Sequence, residues 1–281
     1  MKSFVATFLL LASCLTAHAA TPLEVPQVLR TAEAAITSDN GRITLSVKSK
    51  TPLTPAQWDA IEAVKPKRVM FHGNALDDAG MVRLVRVDPV VVFINENSVL
   101  TSAGVANFDK MKSLTSLATN HSRQPTPESK AAFVKHPTLE SFSTIAAFCI
   151  EALNAPKLKS VTLEHGAAND EAIATLANHP ALETLSLGRY GGSTMTDASL
   201  ASLATLKQLK KLQVYLSAHT YKGGLRLLKN LPALTTLDLI EVDLPAGDLE
   251  KLQADLPKVK ITHTEMTAQS REKRERAAAK K

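Results

Sequence analysis

One six-residue pattern, L-x-x-L-x-L, returns along the sequence at a nearly constant interval. Apolar residues occupy its three fixed positions in 158–163, 182–187, 209–214, 234–239 and 256–261, and weaker copies start at Pro66, Pro89, Leu114 and Leu139. The second apolar position of each copy serves as an anchor, and the anchors are Val69, Val92, Leu117, Phe142, Val161, Leu185, Leu212, Leu237 and Val259. Their mean interval of about 24 residues lies in the range of solenoid repeats. The sequence therefore predicts similar units stacked side by side.

The stretches between anchors follow a different spacing. Leu200, Leu203, Leu206 and Leu209 lie three residues apart, which places them on one side of a short helix. Residues around each anchor alternate between apolar and polar, as expected of a short strand. Aspartates precede several helices and are expected to cap them: Asp77, Asp78, Asp170 and Asp197. Each unit is predicted to contain a strand, a turn and a helix.

In its motif, interval and number of repeats, the sequence resembles the leucine-rich-repeat (LRR) proteins over residues 55–263, and specifically the secreted bacterial type. The resemblance implies an α/β solenoid, a horseshoe of about nine strand-turn-helix units with a parallel sheet on the concave face. One departure concerns the asparagine that the family commonly has five residues after the anchor. It occurs here only as Asn74 and Asn97, so a continuous ladder of buried amides is not expected.

The segments around the repeats differ in composition. Residues 1–19 have the charged start, apolar run and small-residue end of a signal peptide, which predicts a secreted or periplasmic protein. The alternative is a membrane-anchored lipoprotein, since 11–14 resembles a lipobox that would place the lipid on Cys14. We expect an N-terminal cap at 20–55, the LRR domain at 56–264 and a basic tail, helical or disordered, at 265–281.

The sequence contains no recognised catalytic or phosphate-binding motif. His72, His121 and His165 follow strands, which would place them on one rim of the sheet, but the histidines lack the spacing of metal ligands. The prediction is a protein that is not an enzyme and uses no cofactor and no metal. Half of the net charge of +6 lies in the tail, which has six basic and three acidic side chains. Because the protein is expected to be exported, nucleic acid is not an expected partner, whereas an envelope or other anionic surface is a candidate for residues 265–281.

Side chains next to each anchor should point away from the core, because neighbours on a strand alternate between its two faces. The larger, aromatic and charged members of this surface are the predicted partner-binding residues: Arg68, His72, Phe93, Asn95, Asn120, Glu164, Lys211, Tyr215 and Asp238. Together with the resemblance, they predict a noncatalytic, monomeric scaffold that binds a protein or peptide on its concave face. The alternative is a structural or carbohydrate-binding protein of the cell envelope.

Overall fold

The computed structural model describes residues 20–121, 136–145, 150, 153–191 and 193–278, so that the expected signal peptide and Cys14 lie outside the described residues. Within these ranges the strands form one 12-stranded sheet whose order follows the chain. The strands are β1 Thr21–Pro22, β2 Ala35–Asp39, β3 Arg42–Ser49, β4 Arg68–Gly73, β5 Val91–Asn95, β6 Ser116–Asn120, β7 Ser141–Thr144, β8 Ser160–Glu164, β9 Thr184–Arg189, β10 Lys211–Tyr215, β11 Thr236–Ile240 and β12 Lys260–His263.

Short helices connect the strands. The α-helices are α1 Pro55–Val64, α2 Asp78–Val87, α3 Ser102–Val105, α4 Asp170–Thr175, α5 Asp197–Leu203, α6 Asp248–Asp255 and α7 Ala268–Ala278. The 3₁₀ helices are Gln27–Ala32, Phe108–Lys110, His165–Ala167, Leu176–Asn178 and Leu225–Asn230. No described helix combines the length and the apolar character needed to cross a membrane.

The register of the parallel strands confirms the repeat. Leu212 of β10 lies beside Leu185 of β9 on one side and beside Leu237 of β11 on the other. These three leucines are fully buried, and the same row continues from strand to strand toward Val69 of β4. Each unit thus completes the core of its neighbours, which is how an LRR solenoid is stabilised. The α/β solenoid prediction is confirmed.

The two ends of the anchor row differ from the expectation. At the C-terminal end, Ile261 rather than Val259 pairs with Leu237, because α6 extends to Asp255 and delays the start of β12. A shift of two residues keeps the same alternation, so the hydrophobic pattern alone does not distinguish the two registers. At the N-terminal end, β3 is already parallel to β4 and adds Leu45 to the row.

The helix starts contain two polar residues with different tasks. The first residue caps its own helix: Asp77 Oδ1 accepts from Gly80 N (2.7 Å), and Asn169 Oδ1 accepts from Ala172 N (2.9 Å). The second residue reaches the next repeat, as Asp170 does by accepting from the backbone N–H (2.9 Å) and the hydroxyl (2.7 Å) of Thr196. The expectation that Asp170 caps its own helix is therefore wrong.

The same arrangement recurs along the outer side of the solenoid. Asp78 accepts from Thr101 N (2.8 Å) and from its hydroxyl, and Asp197 accepts from Thr220 N (3.1 Å) and its hydroxyl (2.7 Å). Like Asp170, Asp78 and Asp197 were expected to be caps and instead join consecutive repeats. Charge-assisted bonds of this kind are stronger than neutral ones. We call these three aspartates, with the threonines that they bind, the aspartate–threonine ladder.

Candidate functional site: the open face of the sheet

Alternate strand residues turn away from the helices and form what we call the open face, the positions one before, one after and three after each anchor. In β10, Leu212 and Val214 are buried whereas Lys211, Gln213 and Tyr215 are half-buried and directed to the other side. Most parallel strands repeat this alternation. Except for two buried members, the predicted partner-binding residues occupy accessible positions of this face.

The N-terminal part of the open face contains Arg68, His72, Phe93, Asn95 and Asn120. Arg68 is exposed, and the rings of His72 and Phe93 contact each other with centroids 5.5 Å apart. Burial lowers the pKa of His72, so this ring is neutral at pH 7. Asn95 pairs in register with His72 and with Asn120, which is only 3% exposed. Asn120 therefore lies under the face rather than on it.

The C-terminal part is built around Asp238. Its carboxylate accepts from Gln213 Nε2 (3.0 Å) on one neighbouring strand and from Thr262 Oγ1 (2.7 Å) on the other. Lys211 Nζ lies 3.9 Å from Asp238 Oδ2. Three strands are thereby joined across the face. Lys211 and Asp238, both predicted to bind a partner, therefore already interact with each other within the chain.

The centre of the face contains a β-bulge that changes which side chain it presents. The expected residue at this point of β9 was Gly188, but the register shifts after Leu163, and Glu164 lies beside Arg189. Gly188 has φ +86°, and a Cβ there would be 2.8 Å from the Tyr215 carbonyl oxygen. A glycine is needed at the bulge for both reasons. The positions counted from each anchor assume an unbroken strand. For this reason the sequence did not identify Arg189 as a residue of the open face.

Around the bulge, five side chains form what we call the aromatic–arginine cluster: His121, His165, Arg189, Tyr190 and Tyr215. The Arg189 guanidinium carbon lies 5.1 Å from the Tyr190 ring centroid and 5.9 Å from that of Tyr215. The His165 ring is 5.7 Å from that of Tyr190, and His165 Nε2 is 3.1 Å from His121 Nε2. Tyr190 is 53% exposed, which is the largest exposure of any large apolar side chain in the part of the chain that the structure describes.

The turn that ends each strand explains how these residues are brought together. His121, His165 and Tyr190 have φ values of +48°, +51° and +65°, so each lies in the left-handed region directly after a strand. This sharp turn aims the side chain along the rim rather than into the core. Of the cluster, the sequence analysis selected Tyr215 for binding and placed His121 and His165 on the rim. His121 and His165 lie four residues after their anchors Leu117 and Val161, whereas Tyr190 lies five after Leu185 because the bulge adds a residue.

Glu164 lies beneath the cluster and is 1% exposed. Its Oε1 has no hydrogen-bond partner. Burial raises the pKa of Glu164, and the neighbouring Arg189 and His121 partly offset this rise. Burial also raises the pKa of Tyr215, so its hydroxyl stays protonated well above neutral pH. The centre of the face is therefore an arginine and aromatic rings above a buried carboxyl group.

Comparison with known proteins gives fold likenesses only. No family model matches the chain, and no curated protein matches it. A solved protein of Bacteroides fragilis is 16% identical with a TM-score of 0.46, covering 80% of this chain and 65% of that one. The Drosophila Toll–Spätzle complex is 14% identical with a TM-score of 0.48 and covers 83% and 38%, respectively. A Leptospira interrogans LRR protein is 11% identical with a TM-score of 0.25, covering 76% and 82%.

This chain thus spans less than two thirds of the length of the first two of these proteins. The LRR-like fold described above rests on the register of its own strands. Within the described residues, no group of three or more His, Cys, Asp and Glu side chains is arranged to hold a metal ion.

Proposed function

We propose that this protein is a noncatalytic, exported scaffold that binds a protein or peptide partner through the open face of its sheet. The observation that carries the proposal is the aromatic–arginine cluster at the centre of that face. Tyrosine and arginine supply much of the binding energy at protein interfaces, particularly where they cluster near the centre. Solenoid folds provide extended surfaces on which such a cluster can be presented.

The state of Arg189 indicates the chemistry of the partner. Among the described residues its guanidinium forms no ion pair within 4.0 Å, and its only hydrogen bond is a long one of 3.4 Å to the Tyr190 hydroxyl. Contact with two tyrosine rings limits the positions that the guanidinium takes. A guanidinium so held is ready to bind a carboxylate through two parallel hydrogen bonds. We therefore propose that the partner contributes an Asp, a Glu or a C-terminal carboxylate at this point.

The other predicted residues have supporting parts in this proposal. Arg68, with the ring pair His72 and Phe93, would contact the partner toward the N-terminal end of the face, beside Asn95. Lys211 and Asp238 would lie at the C-terminal edge of the contact. Their mutual proximity keeps both charges partly neutralised, which reduces the cost of covering them. Asn120 and Glu164 lie below the surface and would support the residues above them.

Export is proposed from residues 1–19, and the mature chain would then begin at Ala20. The intact mass of the protein purified from the envelope or medium tests this: cleavage after Ala19 is expected. A mass that includes Cys14 with attached acyl chains would instead establish the lipoprotein. The basic tail at 265–281 is proposed to add contact with anionic surfaces, and co-sedimentation with anionic vesicles measures it.

The binding proposal is tested by affinity capture from the native envelope fraction, followed by mass spectrometry, with three forms of the mature protein. Arg189→Ala is expected to lose the captured partner, whereas Arg226→Ala should retain it. Arg226 is the control because it is an exposed arginine on the helical side, in Leu225–Asn230, whereas Arg189 is half-buried on the open face. A partner that both variants retain, or binding only to peptidoglycan, would overturn the proposal.

A further inference from the structure

We propose that His121 and His165 form a binding site for a divalent transition-metal ion such as Zn²⁺. The two residues directly follow β6 and β8, the strands on either side of β7, and their rings contact each other. The inference concerns a ligand that is independent of the protein or peptide partner.

The first argument is the separation of the two nitrogens. His121 Nε2 and His165 Nε2 are 3.1 Å apart. A zinc ion lies about 2.0–2.1 Å from each imidazole nitrogen that binds it. With an ion at that distance from both nitrogens, the N–metal–N angle would be about 98°, which lies between the angles of octahedral and tetrahedral coordination. The rings therefore already have the spacing of two ligands on one ion.

The second argument is that the backbone fixes where both rings lie, and that His165 is packed between two other rings. Each histidine occupies the left-handed turn that follows its strand, and the parallel sheet fixes where those turns lie. The two rings are nearly perpendicular, at 77°, and the other side of His165 is against the Tyr190 ring, with centroids 5.7 Å apart. Rings constrained in this way lose little conformational entropy when an ion binds.

The third argument is the adjacent buried carboxyl group. Glu164 precedes His165 in the chain, is 1% exposed, and its Oε1 has no hydrogen-bond partner. Buried polar atoms are normally satisfied, so such an atom next to a histidine pair requires an explanation. A cation between the imidazoles would explain the unpaired Glu164 oxygen, because it would place positive charge close to the carboxylate.

The site would have open coordination positions. Since no third His, Cys, Asp or Glu in the described part of the chain is placed as a ligand, water would occupy the remaining positions. Protons compete with the metal for imidazole nitrogens, so binding should weaken as the pH falls.

Isothermal titration of ZnCl₂ into the untagged mature protein at pH 7.5 tests the proposal. We expect one ion per chain, and a loss of affinity of about tenfold or more in His121→Ala and in His165→Ala. His72→Ala is the control, since His72 lies within β4 on the open face and its ring contacts Phe93 instead of another histidine. This variant should bind zinc as the wild type does.

Thermal melting of each variant in EDTA shows whether it is folded. A substitution that unfolds the chain is replaced by His121→Gln or His165→Gln, which keep a polar side chain at the turn. Absence of saturable zinc binding, or equal binding by all variants, would overturn the site. Partner capture repeated in EDTA separates this result from the proposed function: absence of zinc binding in the titration, together with capture that persists in EDTA, contradicts only the metal site.

Discussion

The carboxylate of Asp197, in the first turn of α5, accepts both the backbone N–H and the hydroxyl of Thr220 in the next repeat, at 3.1 and 2.7 Å. It also lies 3.2 Å from Nδ1 of His219, which is only 2% exposed. One side chain therefore satisfies three polar groups of its neighbour. The aspartate–threonine ladder joins consecutive repeats by bonds from side chain to backbone. Buried asparagine amides have this role in the leucine-rich-repeat proteins that the sequence resembles.

We expect Asp197→Ala to lower the free energy of unfolding by about 2–3 kcal/mol, because charge-assisted bonds are lost and His219 keeps no acceptor. Urea denaturation followed by circular dichroism measures the change. Glu171→Ala is the control, since Glu171 is an exposed acid in the first turn of α4; it should change stability by less than about 0.5 kcal/mol. Equal effects of the two substitutions would mean that helix electrostatics, and not the ladder, stabilises this region.

The bulge at Gly188 gives a second prediction. Gly188 and Gly191 have nearly the same φ, +86° and +89°, but their surroundings differ. A Cβ at Gly188 would lie 2.8 Å from the Tyr215 carbonyl oxygen, whereas one at Gly191 would be 3.7 Å from the nearest atom, Leu216 Cδ1. Both alanine substitutions carry the cost of a left-handed backbone, about 1 kcal/mol, but only Gly188→Ala adds a clash with another strand.

Gly188→Ala should therefore destabilise the protein by about 1–2 kcal/mol more than Gly191→Ala in thermal or urea unfolding. Because the clash displaces β9 from β10, it should also weaken partner capture through Arg189. Retained capture together with equal stabilities would show that the bulge does not position Arg189.

The repeat itself was readable from the sequence because the anchor, the helix and the interval point to the same structure. Leu185, Leu212 and Leu237 occupy one row, as the pattern predicts. Two features were not readable for a physical reason. A two-residue shift at Val259 keeps the alternation of a strand, and the bulge at Gly188 adds a residue that leaves no mark in the hydrophobic pattern.

The binding surface was predicted less well than the fold. The positions next to each anchor identified Tyr215. Arg189 lies on the face only because of the bulge, and Tyr190 because of a turn with positive φ. The sequence positions also did not indicate how deeply a side chain is buried. Asn120 and Glu164 were expected on the surface, but both are buried. Depth depends on the packing of neighbouring repeats, which a single strand does not encode.

The C-terminal helix α7 provides a third prediction. Arg271 donates to both carboxylate oxygens of Asp243 (3.2 and 2.8 Å), and this pairing lowers the pKa of Asp243. Arg276 instead pairs with Glu272 within α7. Arg271→Ala should speed amide hydrogen exchange in 268–278, with less than about 1 kcal/mol lost from the solenoid, whereas Arg276→Ala should alter the exchange less. Unchanged exchange in Arg271→Ala would contradict docking of α7 through Asp243.

Buried histidines predict a loss of stability in acid. Burial holds the pKa of His136 at about 4 and lowers the pKa values of His179 and His219. Asp109 Oδ1 lies 3.9 Å from His136 Nε2, but with that pKa the ring is neutral at pH 7, and the contact is not an ion pair.

The sign follows from proton binding in the two states. At His136 the unfolded chain binds a proton between pH 6.5 and 4 more readily than the folded chain, so stability falls as the pH falls through this window. The lowered pKa values of His179 and His219 act in the same direction. For His136 alone the loss at pH 4 is about 3 kcal/mol relative to pH 7.5.

Urea unfolding of the wild type and of His136→Gln, each at pH 7.5 and pH 4 with EDTA, measures this loss. The packing cost of the substitution is the same at both pH values and cancels in the comparison. We expect the variant to lose less stability on acidification than the wild type. An identical loss in the two proteins would show that His136 takes up a proton as readily when folded as when unfolded.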